Sequence, residues 1–174
     1  MGGTKSGARR ELPQITQLLV FQFVASLAAY GAIGWWFIRP WLEAKPKITA
    51  LSILLLPQLF RHVGITLLVS EVVDPTFPAA VARQTAFGDT IATLLAWAAL
   101  VALRSGWRYA LPVVWLFNLV GITDMILNLV NGVRFQVAEH LGAAWFGIAF
   151  VVPAMLVVHF LIFAFLLRSQ TRSA

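Results

Sequence analysis

Cysteine is absent from the 174 residues of the chain, and acidic residues number only 7. Without cysteine there can be no disulfides, thiolate metal ligands or cysteine nucleophiles. The chain also lacks the HExxH, GxSxG and phosphate-loop patterns, which carry much of the recognisable chemistry of zinc proteases, serine hydrolases and nucleotide-binding proteins. Charged residues make up only 11% of the chain, whereas hydrophobic residues make up 60%. A water-soluble domain of this size does not need so much apolar surface.

Apolar runs near 20 residues long recur along the chain, which is the signature of membrane-spanning helices. The predicted fold class is therefore all-α, a polytopic integral membrane protein built as a bundle of five transmembrane helices. We predict one membrane domain over residues 14–168, with polar tails at residues 1–13 and 169–174. The first apolar run is too long for a signal peptide, so we interpret it as an uncleaved helix. The predicted helices cover residues 15–38, 48–73, 81–103, 109–131 and 141–167.

The formal net charge of +6 lies mostly in tails and loops, where basic residues set topology and contact anionic headgroups. We therefore expect membrane lipids, and no nucleic acid, as partners. We call the side of predicted loops 39–47 and 104–108 side A, and the opposite side side B. Most loop cations fall on side A, although the basic N-terminal tail falls on side B. The positive-inside rule predicts a multi-pass protein of the cell membrane with a cytoplasmic C-terminus. The side-A cations are Arg39, Lys45, Lys47, Arg104, Arg108, Arg168 and Arg172.

The fourth predicted helix carries an unusual polar stripe. Its polar residues fall on one side of a helix together with Gly121. A lipid-facing helix would not carry such a stripe, so we expect it to face protein, water or a ligand. The stripe consists of Asn118, Asp124, Asn128 and Asn131.

Depth along the predicted helices decides which polar groups can meet. At a rise of about 1.5 Å per residue, five of them share one level in the side-B half of the membrane. His159 is expected towards side A, outside this group. Depth also favours Asp124 over the more peripheral Asp89 as the partner of Arg61. The five residues are Arg61, His62, Asp89, Asp124 and Asn128.

Two interpretations of this group stay open. In the structural one, Arg61 pairs with an aspartate and the asparagines bridge helices without chemistry. In the functional one, the group lines a polar cavity open towards side B. Its charges do not balance, because one arginine faces two aspartates. A protonated His62, a neutral aspartate or a bound cation must then supply the missing positive charge.

The leading functional hypothesis is a small membrane protein that binds a small polar or charged solute, with proton-coupled transport as an extension. Arg61 would act as anion or counter-ion partner, and His62 and Asp124 would share a proton. Asp89 would be the entrance acid, and Asn118 and Asn128 would donate hydrogen bonds. The predicted ligand- or proton-binding residues are Arg61, His62, Asp89, Asn118, Asp124 and Asn128.

Two alternatives belong to other classes of protein. The first is an intramembrane enzyme that acts on a lipid or isoprenoid, with His62 and an aspartate as acid–base pair. No nucleophile accompanies that pair, so the sequence favours a non-enzyme. The second is an accessory or assembly subunit without chemistry, which would bind a partner membrane subunit or a second copy of itself.

We predict no metal and no cofactor. Bis-histidine haem is disfavoured because His62 and His159 are expected at different depths and His140 lies in a loop.

Overall fold

The computed structural model describes residues 13–168, and within that range the chain is helical and contains no strand. Five helices are long and apolar enough to cross a membrane, which confirms the predicted number of apolar helices. Apart from Pro13, the predicted tails lie outside the described residues, and Arg172 lies there with them. The five helices are α1 (Gln14–Glu43), α2 (Lys47–Leu68), α3 (Ala79–Arg104), α4 (Ala110–Arg134) and α5 (Gly142–Leu167).

Helix α1 continues past its predicted end at residue 38 to Glu43. A π-helical turn at Gly34–Ile38 leads into the α-helical turn Arg39–Glu43. Pro40 lies at the start of that second turn, where the missing amide of proline is best tolerated. The predicted loop 39–47 is therefore wrong in extent, and residues 44–46 alone separate α1 from α2.

Helix α2 has two parts of different geometry, and it ends at Leu68 rather than at the predicted residue 73. Its α-helical part covers Lys47–Gln58, with Pro57 next to the last position. A 3₁₀-helical part covers Arg61–Leu68. The two parts meet at Leu59 and Phe60, whose amides donate to the carbonyl oxygens of Leu56 and Pro57, each at 3.2 Å. Such bonds to the third residue back tighten the last turn of an α-helix. This 3₁₀ segment has 8 residues, whereas 3₁₀ segments longer than three or four residues are uncommon. A 3₁₀ stretch within a longer helix often marks a functional hinge or a strained segment.

Helix α5 also begins irregularly, with a 3₁₀ turn at Gly142–Ala144 and a π-helical segment at Gly147–Val151. Gly142 has a φ of 51°, and a Cβ there would lie 2.8 Å from the carbonyl oxygen of Val72. Only glycine meets both conditions comfortably. The amide of Ala143 donates to that same carbonyl at 2.8 Å, so the chain after α2 is fixed to the start of α5.

The helices bury two separate apolar clusters. The side-A cluster joins all five helices, with Leu42 as the contribution of α1, and three alanines of α3 allow close helix packing there. The side-B cluster joins α1, the end of α2, α3, the chain before α5 and the first turns of α5. The side-A cluster includes Leu51, Leu55, Ala96, Ala99, Ala102, Phe117, Ile162 and Phe165. The side-B cluster includes Leu19, Leu67, Val73, Phe77, Val81, Val137, Leu141 and Ala149.

Candidate functional site

Arg61 opens the 3₁₀ part of α2, and its buried guanidinium lies between α3, α4 and α5. Nε and Nη2 donate to Oδ1 of Asp89 at 2.9 and 2.7 Å. Nη2 also donates to Oδ2 of Asp124 at 2.7 Å. Nη1 donates to the carbonyl oxygen of Gly121 and contacts Nε2 of His159, each at 3.2 Å. Since a guanidinium carries five N–H donors, every donor of Arg61 has an acceptor within the protein.

The structure brings Arg61, Asp89 and Asp124 together, but not with the single partner that depth favoured. Both carboxylates lie 2.7 Å from Nη2. Asp89 accepts two of the three hydrogen bonds to carboxylates, so the prediction of Asp124 as the preferred partner is wrong. The long arginine side chain reaches both acids because it enters between α3 and α4.

His159 belongs to this site, contrary to the prediction that placed it towards side A. Its ring is fully buried. The depth calculation assumed an α-helical rise up to residue 73, whereas residues 61–68 form a 3₁₀ helix, which rises about 2.0 Å per residue. The guanidinium consequently lies deeper, at the level of Gly121, where α5 presents His159.

The contacts of His159 define its tautomer. Because Arg61 can only donate, Nε2 of the imidazole must be the acceptor. The ring proton is then on Nδ1, which lies 2.7 Å from Oδ1 of Asn118 and donates to it. Nδ2 of Asn118 donates to the carbonyl oxygen of His159 at 3.3 Å. His159 is therefore a neutral link between the arginine and Asn118.

His62, in contrast, points away from the site. Its side chain is exposed, and Nδ1 lies 3.0 Å from the carbonyl oxygen of Leu59. It contacts neither aspartate within residues 13–168. The neighbouring position in a 3₁₀ helix projects in a different direction, so Arg61 and His62 cannot both face α3. The proposed proton sharing between His62 and Asp124, and the His62–aspartate acid–base pair, have no geometric basis here.

The other residues of the α4 stripe make contacts with α3. Oγ1 of Thr85 donates to Oδ1 of Asn128 at 3.1 Å, and the amide of Asn128 also interacts with Asp124. Nδ2 of Asn131 donates to Oε1 of Gln84 at 2.9 Å. Each polar residue of the stripe therefore has a hydrogen-bond partner on a neighbouring helix, and Asn128 also lines the cavity described below.

Three glycines on three different helices make room for the ion pairs. A Cβ on Gly64 would overlap the carboxylate of Asp89, and a Cβ on Gly88 would overlap that of Asp124. A Cβ on Gly121 would lie 2.6 Å from Cε1 of His159 and 2.9 Å from Nη1 of Arg61. Each glycine thus lets a charged group lie directly against helix backbone.

A cavity of about 310 Å³ lies on the side-B flank of the ion pairs. All five helices contribute to its wall, which is apolar over most of its area. Helix α3 lines it with Val81, Thr85 and Asp89, a stretch of about 12 Å. Asp89 is the contributor from α3 that lies furthest from side B, so the carboxylate marks the inner end of the cavity. Other lining residues include Leu19, Phe23, Leu67, Met125, Asn128 and Met155.

The electrostatic balance of the site is unequal. One guanidinium faces two carboxylates, and the neutral imidazole of His159 adds no charge. The side chain of Arg61 is 3% exposed, whereas that of Asp89 is 16% exposed. The surplus negative charge is therefore reachable from the cavity at Asp89. Arg61 also lines the cavity, but all of its N–H donors are engaged by protein acceptors. This arrangement suits a proton or a cation much better than an anion.

Metal and haem ligands are not grouped in this part of the chain. Within residues 13–168, no group of three or more histidine, aspartate or glutamate side chains is placed to hold a metal ion. Both ring nitrogens of the buried His159 are already engaged with protein atoms.

A second polar contact lies outside the helices, in the chain between α2 and α3. The backbone amide of Thr76 donates to Oδ1 of Asp74 at 2.8 Å, and the hydroxyl of Thr76 also donates to that oxygen. These two hydrogen bonds lower the pKa of Asp74 below its ordinary value. Oγ1 of Thr76 lies 2.8 Å from Nδ1 of His140, which connects this loop to the chain before α5.

Three site residues escaped the sequence analysis: His159, Gly64 and Gly88. His159 is visible in the sequence within an apolar run, but it was placed at a different depth from Arg61, because the depth of Arg61 depends on the 3₁₀ geometry of α2. The glycines carry no chemical signal of their own. They lie three residues after Arg61 and one residue before Asp89, which is a spacing that becomes meaningful only once the helices are packed.

Comparison with known proteins places this fold in one family. Neither the curated proteins nor the solved structures include a match to the chain. A family model described as a domain of unknown function, DUF8737, matches residues 18–167, which include all five helices almost completely. The chain therefore belongs to the DUF8737 family.

Proposed function

We propose that this protein is an integral membrane protein that binds a small amphipathic molecule in the side-B cavity, with the polar end of that molecule at Asp89. The observation that carries the proposal is an apolar cavity of about 310 Å³ that ends at a carboxylate with surplus negative charge. Ligand pockets of about 300–1,000 Å³ with apolar walls and a few convergent polar groups are typical of small-molecule sites.

The outer surface supports location in a membrane. In the most apolar 18-residue stretch of each helix, only 17–39% of the stretch is buried within the protein. Most of the apolar surface of each helix therefore faces outward. Such a continuous apolar surface requires lipid or another apolar partner. The exposed indole rings of Trp35 and Trp41 lie near side A, each beneath a cationic side chain, as is common at membrane interfaces.

We retain the orientation with side A and the C-terminus in the cytoplasm. The cations at residues 39–47 and 104–108 support it under the positive-inside rule. Reporter fusions at the C-terminus and in the chain between α2 and α3 test it. A C-terminal reporter that is active only outside the cytoplasm would reverse the orientation without changing the cavity.

An amphipathic ligand replaces the fully polar solute of the leading hypothesis. Arg61 has no donor left for an anion, and most of the cavity wall offers only dispersion contacts. A polar solute would lose its water there without gaining hydrogen bonds in return. An apolar body with one polar end meets both the wall and Asp89.

Proton-coupled transport is the second candidate function. It is supported by the unbalanced carboxylates and by the 3₁₀ and π-helical segments that border the cavity, because interrupted helices are common where transporters bind their substrates. Proton flux into pyranine-loaded proteoliposomes tests it. Flux that is present with the wild type and lost with Asp89→Asn supports transport, and equal flux for both rejects it.

The enzyme alternative is not carried forward, because its acid–base pair required His62. The accessory-subunit alternative becomes an outcome of the binding experiment below.

Two glycine substitutions provide a matched test of the cavity. Gly147 lines the cavity, and a Cβ there meets no atom of the described residues within 4 Å. Gly31 of α1 has equally open surroundings, but it does not line the cavity. Gly147→Leu should therefore fill ligand space, whereas Gly31→Leu should not.

The measurement is native mass spectrometry of gently purified protein without added ligand. We expect a small-molecule mass adduct on the wild type and on Gly31→Leu, and its loss from Gly147→Leu. No adduct on any of the three, or equal adducts on all three, would contradict binding in this cavity. Co-purification of a second membrane protein without an adduct would favour the accessory subunit.

A further inference from the structure

We infer that the ligand of the side-B cavity is a lipophilic amine, whose protonated nitrogen lies against Asp89 and whose far end carries a hydrogen-bonding group at Thr16. This inference rests on the proposed function and adds the chemical class of the ligand. Two independent observations at opposite ends of the cavity carry it.

The first observation is the unused oxygen of Asp89. Oδ1 accepts both hydrogen bonds that Arg61 gives to this residue. Oδ2 accepts none from the described part of the chain and lies against the backbone of Gly64. Both Asp89 and Gly64 line the cavity. An ammonium group is donor-only, so it matches this free acceptor.

Charge selects the ammonium over neutral donors. Arg61 neutralises one of the two carboxylates, and the tautomer of His159 leaves its ring neutral. A bound monocation restores electrical balance in a site of low dielectric, where an unpaired charge is most costly. A carboxylate or phosphate head would instead meet two aspartates and an arginine whose donors are all used.

The second observation is a buried hydroxyl at the opposite end. Thr16 lies near the start of α1, on the side-B end of the bundle, and it lines the cavity. The residue is only 7% exposed, yet its Oγ1 has no hydrogen-bond partner within the described residues 13–168. Buried hydroxyls are rarely left unpaired, because the lost hydrogen bond to water is not replaced. A ligand with a polar group at its far end would supply the partner.

The cavity between these ends fits an extended apolar body. Its walls include Leu19, Phe23, Met125 and Met155, and methionine side chains adapt readily to different ligand shapes. The amine would thus lie along the cavity, roughly parallel to α3, with its nitrogen towards the middle of the bundle.

The test compares octylamine, octan-1-ol and octanoate, which share one chain and differ in the head group. Each is added to the full-length protein in the same detergent near pH 7, and the thermal midpoint gives an apparent affinity. We expect octylamine to bind at least about tenfold more tightly than the other two. In Asp89→Asn the preference for the amine should disappear, and in Gly147→Leu binding of all three should disappear.

The outcomes separate this inference from the proposed function. If octan-1-ol or octanoate binds as tightly as octylamine, the cavity is a ligand site but the amine class is wrong. If no octyl compound binds the wild type better than Gly147→Leu, the proposed function itself is wrong. The comparison of head groups on the wild type tests the amine class even if Asp89→Asn does not fold.

The Thr16 end has its own test with 8-aminooctan-1-ol. Thr16→Val removes the hydroxyl but keeps the shape. Thr93→Val is the matched control, because Thr93 is also 7% exposed but its Oγ1 already donates to the carbonyl oxygen of Asp89. We expect 8-aminooctan-1-ol to bind the wild type and Thr93→Val more tightly than octylamine does, and to lose this advantage in Thr16→Val. Equal binding to all three proteins would overturn the role of Thr16.

Discussion

The two ends of this bundle bury apolar side chains in opposite ways. The side-A cluster is formed by α-helical segments, with alanines of α3 against leucines and phenylalanines of its neighbours. The side-B cluster is built around the cavity, from a 3₁₀ run of α2, a π-helical turn of α5 and the chain before α5. The ion pairs of Arg61 lie where the two regions meet.

This contrast shows that one end of a helix bundle can be packed for stability while the other end keeps a cavity that suits a ligand. Close packing of α-helices around the alanines of α3 at side A gains dispersion contacts. The pocket of about 360 Å³ at that end lies beside this cluster, against the charged residues Arg39, Glu43 and Arg168. The irregular backbone at side B forgoes some packing and gains a cavity. The ion pairs of Arg61 close the inner end of that cavity. Arg61 itself is buried like the residues of the side-A cluster, whereas its partner Asp89 lines the cavity.

The largest expected effect comes from removing the charge at this boundary. Arg61→Leu leaves two carboxylates facing each other, and breaking a buried ion pair from one side costs about 3–5 kcal/mol. A double-mutant cycle with Asp89→Leu and, separately, with Asp124→Leu measures the coupling through thermal or denaturant unfolding in detergent. We expect coupling to both acids and the stronger coupling to Asp89. Arg83→Leu, which changes an exposed cation on α3, is the control.

Coupling below about 0.5 kcal/mol with both aspartates would mean that Arg61 reaches water or headgroups instead. The boundary between the two regions would then have no ionic basis.

The next effect compares one leucine from each cluster. Leu55 of the side-A cluster is 0% exposed, and Leu141 of the side-B cluster is 1% exposed. Truncating a buried leucine to alanine costs about 2–5 kcal/mol, depending on how many contacts are lost. Leu55→Ala should approach the upper end of that range. Leu141→Ala should fall near the lower end, because Leu141 already borders the cavity.

Chemical denaturation of both variants under one detergent condition makes this comparison. A loss of stability for Leu141→Ala that equals or exceeds that for Leu55→Ala would show that the side-B region is packed as tightly as side A.

A smaller effect is expected from a methyl group added at the ion pairs. Gly88→Ala places a Cβ into the carboxylate of Asp124, and overpacking of this kind costs about 1–3 kcal/mol. Gly31→Ala is the matched control in α1, where a Cβ meets no atom of residues 13–168 within 4 Å. It should stabilise the helix by about 0.5–1 kcal/mol. If both variants gain stability, Asp124 does not lie against α3.

The smallest effect concerns the loop between α2 and α3. The pKa of Asp74 is lowered by the hydrogen bonds from Thr76. A lowered carboxyl pKa stabilises the folded loop above the unfolded value of 3.8, and this contribution is lost as the pH falls through the lower folded pKa. NMR titration of Asp74 should show a pKa below 3.8. Thr76→Val should raise it again, and an unchanged pKa in that variant would exclude the contact.

The sequence predicted the five apolar helices because hydropathy alone determines them, and it selected Arg61, Asp89 and Asp124 because charge in an apolar run is rare. It misplaced His159 relative to Arg61 because the depth of Arg61 was calculated with an α-helical rise, whereas the run beginning at Arg61 is 3₁₀-helical and rises further per residue. It grouped His62 with Arg61 because depth along a helix does not tell which way a side chain points, and adjacent residues point about 100° apart on an α-helix as well. Periodicity in an apolar sequence does not distinguish these two helix types.

The cavity could not be predicted at all. Its apolar lining has the same composition as the lipid-facing surface, so no pattern separates Leu67 or Met155 from a residue in contact with lipid. Its polar end depends on Gly64, whose missing side chain leaves room for the carboxylate of Asp89. Such complementarity between elements distant in sequence appears only when they are packed together.

A crystal structure of the purified protein grown from a lipid phase tests the central claim most directly. We predict the guanidinium of Arg61 between Asp89 and Asp124, with non-protein density in the side-B cavity that extends from Asp89 towards Thr16. A cavity closed by repacked side chains, with Arg61 turned away from both aspartates, would contradict the account.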